Sequence, residues 1–491
     1  MKNCSDELSC ALEIIFSKSL SEGEIPDEWR DANINPLFKK GSKLTASNYR
    51  PVSLTSVCCK LMEGIMRDRI TSHLTRNKLI SPSQHGFVHK KSCVTNLLEC
   101  QQVVSGLLHD NKSVDLLYTD FEKAFDKVSH KKLIIKLYAY GIRGKLLEWI
   151  RSFLRGRRQR VVMGEIVSEW RDIMSGVPQG SVLGPLLFVI YINDLPDGLE
   201  NVFKMYADDS KVIAGVGEED QESKLQGDID KIKDWCDKWS MCLNSSKCKI
   251  MHFGKKNPKR QYYIDSGVER VVLGVTEVEK DLGVEISNNG QTNQQAQKAI
   301  NQASQKLGRL RKTFKFFNIR LFNILYPTFI RPLLEFATPV WNRLSKKFSD
   351  KLEGIQARAT KMVIEIRHLG YEGRLRMLGL TTLEKRRKRM DLTQVYKIVN
   401  KIDVVDMDMG TGQNSRHGGG ELRLRHGHQI LRDRTAAISN PLRNRSLPNR
   451  TANTWNLLPS EVVMADNVNI FKKRLDECIR LEELRRSVYT S

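Results

Sequence analysis

Nothing in the 491 residues is long and apolar enough to cross a bilayer: the longest such stretch, Val182 to Ile192, is broken by Gly184 and Pro185. No transmembrane segment and no membrane partner are expected. Met1 is followed by acidic and polar residues, with no charged cap and apolar run, so no secretion signal is expected. The chain reads as intracellular, in the nucleus, the cytoplasm or both. Paired cysteine spacing is also missing. The ten cysteines are scattered, and the six-residue recurrence of Cys236, Cys242 and Cys248 matches no zinc-ligand pattern. Reduced and mostly buried thiols are expected. His417, His426 and His428 have no cysteines nearby, which argues against a zinc knuckle. Acidic residues are in deficit, with 57 Asp and Glu against 80 Lys and Arg, leaving a formal charge of +23. A folded chain with that balance favours polyanions, of which nucleic acid is the commonest. No internal repeat is present, and the length allows roughly two to four domains.

What is there centres on Lys204 to Ile213, where Asp208 and Asp209 sit between short apolar and β-branched runs. The pattern predicts a hairpin with carboxylates at its tip. Upstream, Leu116-Leu117-Tyr118-Thr119-Asp120-Phe121 reads as a buried strand with a third acid at its carboxyl end and an amphipathic helix just beyond. Three carboxylates brought together repel one another, and divalent cations are the ordinary reason to tolerate them. Mg²⁺ takes oxygen ligands and is often shared between carboxylates and substrate phosphates. A pair of such ions serves phosphoryl transfer, so nucleotidyl transfer is the chemistry expected.

The flanks are read in chain order. Helical spacing over residues 7–20 stops at Gly23 and Pro26. A strand from Ala32 runs into the basic turn at Lys39-Lys40-Gly41-Ser42-Lys43, which could hold a triphosphate; a solvated turn explains the lysines equally well. Helices are predicted over 55–78 and 92–109, with Gln84-His85-Gly86-Phe87 opening the loop between them. Phe125 lies five residues past Asp120, close enough to touch a bound sugar, with core packing the alternative. Asp126 is expected as a cap or hydrogen-bond acceptor. Arg155, Arg157, Arg158 and Arg160 fit an exposed basic turn or a phosphate contact. The loop Ser175-Gly176-Val177-Pro178-Gln179-Gly180-Ser181 precedes an apolar helix, and its glycines allow close approach of backbone to a base or phosphate. A helix N-terminus alone also explains them.

The segments Tyr118-Thr119-Asp120-Phe121 with Ala124-Phe125-Asp126, Ser175 to Ser181, and Tyr206-Ala207-Asp208-Asp209 resemble the A, B and C motifs of reverse transcriptases, in the same order. Ile25 to Arg30, Phe38 to Ser42, Asn48-Tyr49-Arg50-Pro51 and Ile190 to Leu195 are similar, more narrowly, to LINE-type, non-LTR retrotransposon polymerases of the jockey-like lineages. The resemblance implies an α+β right-hand polymerase fold, its fingers and palm built from an antiparallel sheet and helices, followed by a largely helical thumb and C-terminal region. Residues 1–35 are then a helical lead-in, 36–287 fingers and palm, 288–402 a basic thumb-like region, 403–420 a loop and 421–491 a C-terminal subdomain.

By the same resemblance, Asp120 and Asp208 are direct metal ligands, with Asp209 supporting or sharing the site. The ion is Mg²⁺, with Mn²⁺ the alternative. Lys39 and Arg50 face the incoming triphosphate, Gln179 and Gly180 border nucleotide and template, and Phe125 is the bulky gate against a 2′-hydroxyl. Lys247 is the candidate to protonate the leaving pyrophosphate, with Lys249 its rival. Asp281-Leu282-Gly283-Val284 resembles the hairpin that grips the primer end. The basic, aromatic stretch with Lys306, Arg309, Arg311, Lys312, Lys315 and Arg320 suits a thumb helix along a duplex, and a solvated face is the competing account. The implied partners are an RNA template, a DNA primer and deoxynucleoside triphosphates. An endonuclease ahead of the polymerase and an RNase H constellation are not expected in this chain. The rival from another class is a catalytically inactive, nucleic-acid-binding remnant of a decayed element; a relative of intron maturases is a third reading.

Overall fold

The computed structural model describes residues 4–217, 219–265, 269–409, 426–433 and 441–489. Helix α1 (Ser5–Glu22) stops where expected, because Gly23 takes a left-handed φ of +74° and its amide bonds back to Ser19 and Leu20. Strands β1 (Asp31–Phe38) and β2 (Tyr49–Leu54) form an antiparallel hairpin. Next come α2 (Val57–Arg76), α3 (Cys93–His109), β3 (Ser113–Thr119), α4 (His130–Ala139) and α5 (Gly144–Leu154). The helix expected beyond Asp120, at about 131–139, begins at His130, after a turn and bend over Glu122 to Lys127.

Strand β4 (Arg158–Met163) runs parallel to β1, with β5 (Ile166–Val167) and β6 (Arg171–Asp172) beside it. This placement corrects the reading of three of the four arginines, while Arg155 lies exposed in a turn as expected. Arg158 forms a two-pronged pair with Asp31 at 2.7 and 2.9 Å, and Arg160 bonds Asn33. Both lie near the Trp170 ring, and Arg157 is buried. Arg158 and Arg160 thus tie β4 to β1 inside this sheet.

The central sheet has the order β12-β9-β3-β8-β7, where β7 is Val202–Tyr206, β8 Asp209–Val216, β9 Lys249–Phe253 and β12 Gly274–Val275. Strand β3 lies in the middle, antiparallel to β8 and β9. Its nearly unbroken burial follows from cover on both faces. Val114 and Leu116 meet Ile213, Met251 and Phe253 under α3. Leu117, on the alternate face, meets Val212, Ala214 and Ile250 under α6 (Gly184–Ile192) and α7 (Glu219–Trp239). Strands β10 (Tyr263–Asp265) and β11 (Arg270–Val272) form a separate ladder, and β13 (Val278–Asp281) and β14 (Val284–Ser287) a hairpin.

From α8 (Asn293–Thr313) onward the regular elements among the described residues are helices. Residues 410–425, and with them His417 and most of the expected 403–420 loop, lie outside the described residues. On either side, Tyr396, Met409, Ile430, Trp455 and Phe471 belong to one core that begins at Val284 and takes in Leu97 and Leu98 of α3. The described part of 421–491 therefore shares the core of the thumb-like region. His426 is buried and hydrogen-bonded to the Trp455 carbonyl. Four of the ten cysteines are buried, fewer than expected. Among the described residues, no helix is long and apolar enough to cross a membrane.

Candidate active site

The β7–β8 hairpin closes in two residues, because Tyr206 pairs with Asp209 and leaves Ala207 and Asp208 as the turn. Ala207 has φ of +54° and Asp208 does not follow it, a primed geometry that suits the twist of the flanking strands. A non-glycine residue held this way needs support, and the segment before α3 supplies it. The Gln84 side-chain oxygen accepts from the amides of Ala207 (3.0 Å) and Gly86 (2.7 Å). Backbone bonds join Ser83 and His85 to Met205. At Gly86, a Cβ would come 2.4 Å from the Ala207 nitrogen, so only glycine lets the two backbones pack this closely.

Register brings in the third acid. Thr119 pairs with Ser210, so Asp120, the next residue out of β3, emerges at the end of the sheet where Asp208 and Asp209 turn. Its backbone is fixed by the Asn244 amide, which bonds its carbonyl at 2.7 Å. Desolvation by the surrounding protein, followed by repulsion from Asp120, raises the Asp208 carboxyl above the usual range, against the pull of Arg50 and Lys39. Asp209 is open to solvent on one side but is still raised to about 6, by desolvation first and then by Asp208 and Asp281. The trio thus sits under mutual repulsion that a cation would relieve, and its donors are all oxygen, which suits Mg²⁺ or Mn²⁺. Among the described residues no three His, Cys, Asp or Glu side chains close into a ready-made cage. Mg²⁺ is usually held by one or two carboxylates together with substrate phosphates, so the donor set still fits that ion.

The cations around the acids are placed by different elements. Lys247, in the turn before β9, bonds Asp120 Oδ2 at 2.9 Å. Its rival Lys249 bonds the Ser246 carbonyl and lies against Gly274. Lys39 follows β1 and Arg50 lies in β2; both side chains are exposed, and both act electrostatically on Asp208.

The loop at 175–181 is clasped from two sides. Gly176 and Val177 donate to the carbonyls of Val128 and Phe125, and Ser175 Oγ to that of Asp126, all at 2.8 Å. The Gln179 side-chain Nε2 donates to Asp126 Oδ1 at 3.2 Å, so Asp126 is the expected acceptor. On the other side the Ser53 amide bonds the Gln179 carbonyl at 2.7 Å. Gly180 has φ of +130°, and a Cβ there would stand 2.4 Å from the Ser53 carbonyl oxygen. Its close approach is therefore to the β2 backbone. Phe125 is half-buried, one ring face stacked on Phe188 at 4.5 Å.

Several supporting residues escaped the sequence reading. Gln84 is one; only the polar-glycine run at 84–86 hinted at it. Glu63 of α2, fully buried, accepts from the amides of Val182 and Leu183 and so anchors the start of α6. Lys204 and Lys211, charges inside an otherwise apolar hairpin, were the signal for a third group. Lys211 bonds Asp281 at 2.6 Å and Asn96 at 2.8 Å. Lys204 and His85 both reach Glu99, which also accepts from the Asp406 amide. Burial pushes the Glu99 carboxyl up, but these bonds outweigh it and hold it at about 2.

Residues 38–299 match the family described as reverse transcriptase (RNA-dependent DNA polymerase). The probable RNA-directed DNA polymerase from transposon BS of Drosophila melanogaster is 25% identical over 373 residues, covering 72% of this chain and 40% of that protein. The RNA-directed DNA polymerase from mobile element jockey of Drosophila funebris is 30% identical over 258 residues, 50% of this chain and 28% of that protein. The chain therefore spans two fifths or less of the length of these curated relatives. Among solved structures, apo telomerase from Candida tropicalis is similar at 11% identity and a TM-score of 0.42, over 81% of this chain and 72% of that one. Because the family match spans more than half of the sequence and takes in the sheet, the acidic turn and the clasped loop together, this chain belongs to the reverse transcriptase family, in its LINE-type, non-LTR branch.

Proposed function

We propose that this chain is an RNA-directed DNA polymerase that extends a DNA primer on an RNA template with deoxynucleoside triphosphates. The observation that carries the reading is the convergence of Asp120, Asp208 and Asp209 at one end of the sheet, with Lys247 on one acid and the charges of Lys39 and Arg50 acting on another. In this reading the primer 3′-hydroxyl gives its proton to solvent as its oxygen attacks the α-phosphorus of the nucleotide, a new P–O bond forms, and the α-phosphorus bond to the bridging oxygen of the β-phosphate breaks to release pyrophosphate. Asp120 and Asp208 would hold Mg²⁺ or Mn²⁺, with Asp209 sharing the site. When bound, such ions lower the cost of charge on the attacking and leaving oxygens.

The remaining roles belong to the chain itself. Lys39 and Arg50 orient the triphosphate by charge. Lys247 Nζ, once released from Asp120, donates a proton to the departing pyrophosphate. Phe125, backed by Phe188, excludes a 2′-hydroxyl, and Gln179 and Gly180 border the nucleotide and template from a loop that cannot drift. The exposed Arg309, Arg311, Lys312, Lys315 and Arg320 follow the duplex backbone.

The test is Mg²⁺-dependent extension of a DNA primer on an RNA template, comparing wild type with Asp208→Ala. Extension by wild type alone is the expected outcome. If neither protein extends while both bind the duplex, the inactive-remnant reading replaces this one.

A further inference from the structure

A cleft of about 730 Å³ opens between the N-terminal end of α8, the helix Leu383–Val399 and the segment 444–454. It is lined by six cationic side chains and only two acidic ones. Both acids are already paired, Glu384 with Lys388 at 3.0 Å and Asp391 with Arg450 at 2.8 Å. Positive charge is therefore in excess on its walls.

The floor is more telling than the rim. Arg387 is 3% exposed, and its Nη2 donates to Ser349 Oγ at 2.7 Å. Its Nε and Nη1, and the Nε of Arg343, are shut away from water without an acceptor among the described residues. A guanidinium has no acceptor lone pair and keeps its proton, so burying its N–H groups without acceptors is expensive even at Arg387, on which the carboxylates Glu353, Glu384 and Asp391 act electrostatically. Burial, with repulsion from Arg450 and Arg445, pushes Arg343 below its ordinary value. The fold maintains this cost at a cleft that lies on different elements from the acidic turn. An anion seated there would offset it.

We infer that the cleft is a second nucleic-acid site, which takes the phosphodiester backbone of a single strand. The rim groups Lys388 and Arg445 are exposed and would contact the phosphates directly, while Arg387 and Arg343 set the potential of the floor. A rigid duplex presents its phosphates on a convex surface, whereas a flexible single strand can follow a recessed charged groove. The inference rests on the polymerase reading only for the identity of the polyanion. RNA and DNA share the recognising chemistry.

The experiment measures binding of fluorescein-labelled 20-nucleotide single-stranded RNA, and of DNA of the same length, to the full chain over a range of salt. Wild type is compared with Arg387→Gln and with the rim variant Lys388→Gln/Arg445→Gln. Losing two phosphate contacts should weaken binding roughly tenfold and flatten the slope of log K against log salt by about 1.4. The rim variant changes exposed groups, so it keeps the test valid if Arg387→Gln fails to fold. The strand whose slope flattens, RNA or DNA, is the occupant. Unchanged affinity and slope for both strands overturns the inference. So does loss of inorganic pyrophosphate binding alone, which would assign the cleft to a small phosphorylated ligand. Primer extension by wild type, run in parallel, separates the two readings: extension with an unmoved slope defeats the cleft alone, and a flattened slope without extension defeats the polymerase alone.

Discussion

Lys211 lies two residues beyond Asp209 and ties the acidic hairpin to the β13–β14 hairpin through Asp281, at 2.6 Å with side chains 2% and 6% exposed. Two unit charges at that distance attract by roughly 6 kcal/mol at an effective dielectric of about 20, most of which desolvation cancels. Burial would drag the ammonium down, but Asp281, then Cys100, holds it above its ordinary value. A raised lysine contributes fully below its unfolded pKa of about 10.4 and loses that contribution only as pH climbs past it, so the pair is intact at neutral pH. Lys211→Met leaves the Asp281 carboxylate buried and unpaired, and should cost about 3–5 kcal/mol. Asp281→Leu strands the ammonium at a similar cost. The double variant removes both charges and should recover most of the loss, falling short by about 1 kcal/mol because the Asn96 oxygen is left with only the weak Cys100 thiol donor. Urea unfolding of the four proteins measures the cycle. Single losses below 1 kcal/mol, or a double variant equal to the sum of the singles, would refute the coupling.

The other expectations concern the loop, the gate and the proton donor. Gly180→Ala forces a Cβ into the Ser53 carbonyl, so primer-extension kcat/KM should fall about 100-fold while the bulk fold persists by circular dichroism. Wild-type kinetics would show that the loop tolerates a shift. Phe125→Ala should raise ribonucleotide relative to deoxynucleotide incorporation about 10- to 200-fold, read by gel with each triphosphate alone; an unchanged ratio returns Phe125 to a packing role on Phe188. Lys247→Ala should lower kcat by about 10²–10⁴ with Lys249→Ala near wild type, and the reverse order would exchange their roles.

What the sequence determined by itself is local. An apolar run ending in an acid, a β-branched hairpin with acids at its tip, and a helix end at Gly23 depend on signals a few residues long, and the structure places them where they were expected. The motif order was legible for the same reason, and with it the family. Tertiary structure decided which groups meet across long separations. Gln84 bracing Ala207, Gly180 pressed against Ser53, Lys211 paired with Asp281, and Arg157 buried while Arg158 and Arg160 tie β4 to β1 all depend on which elements pack together. Periodicity reports which face of a strand or helix is covered, and not what covers it. The same limit hid the cationic cleft, whose arginines come from segments more than forty residues apart and gather only when the two sides of the thumb-like core close on each other.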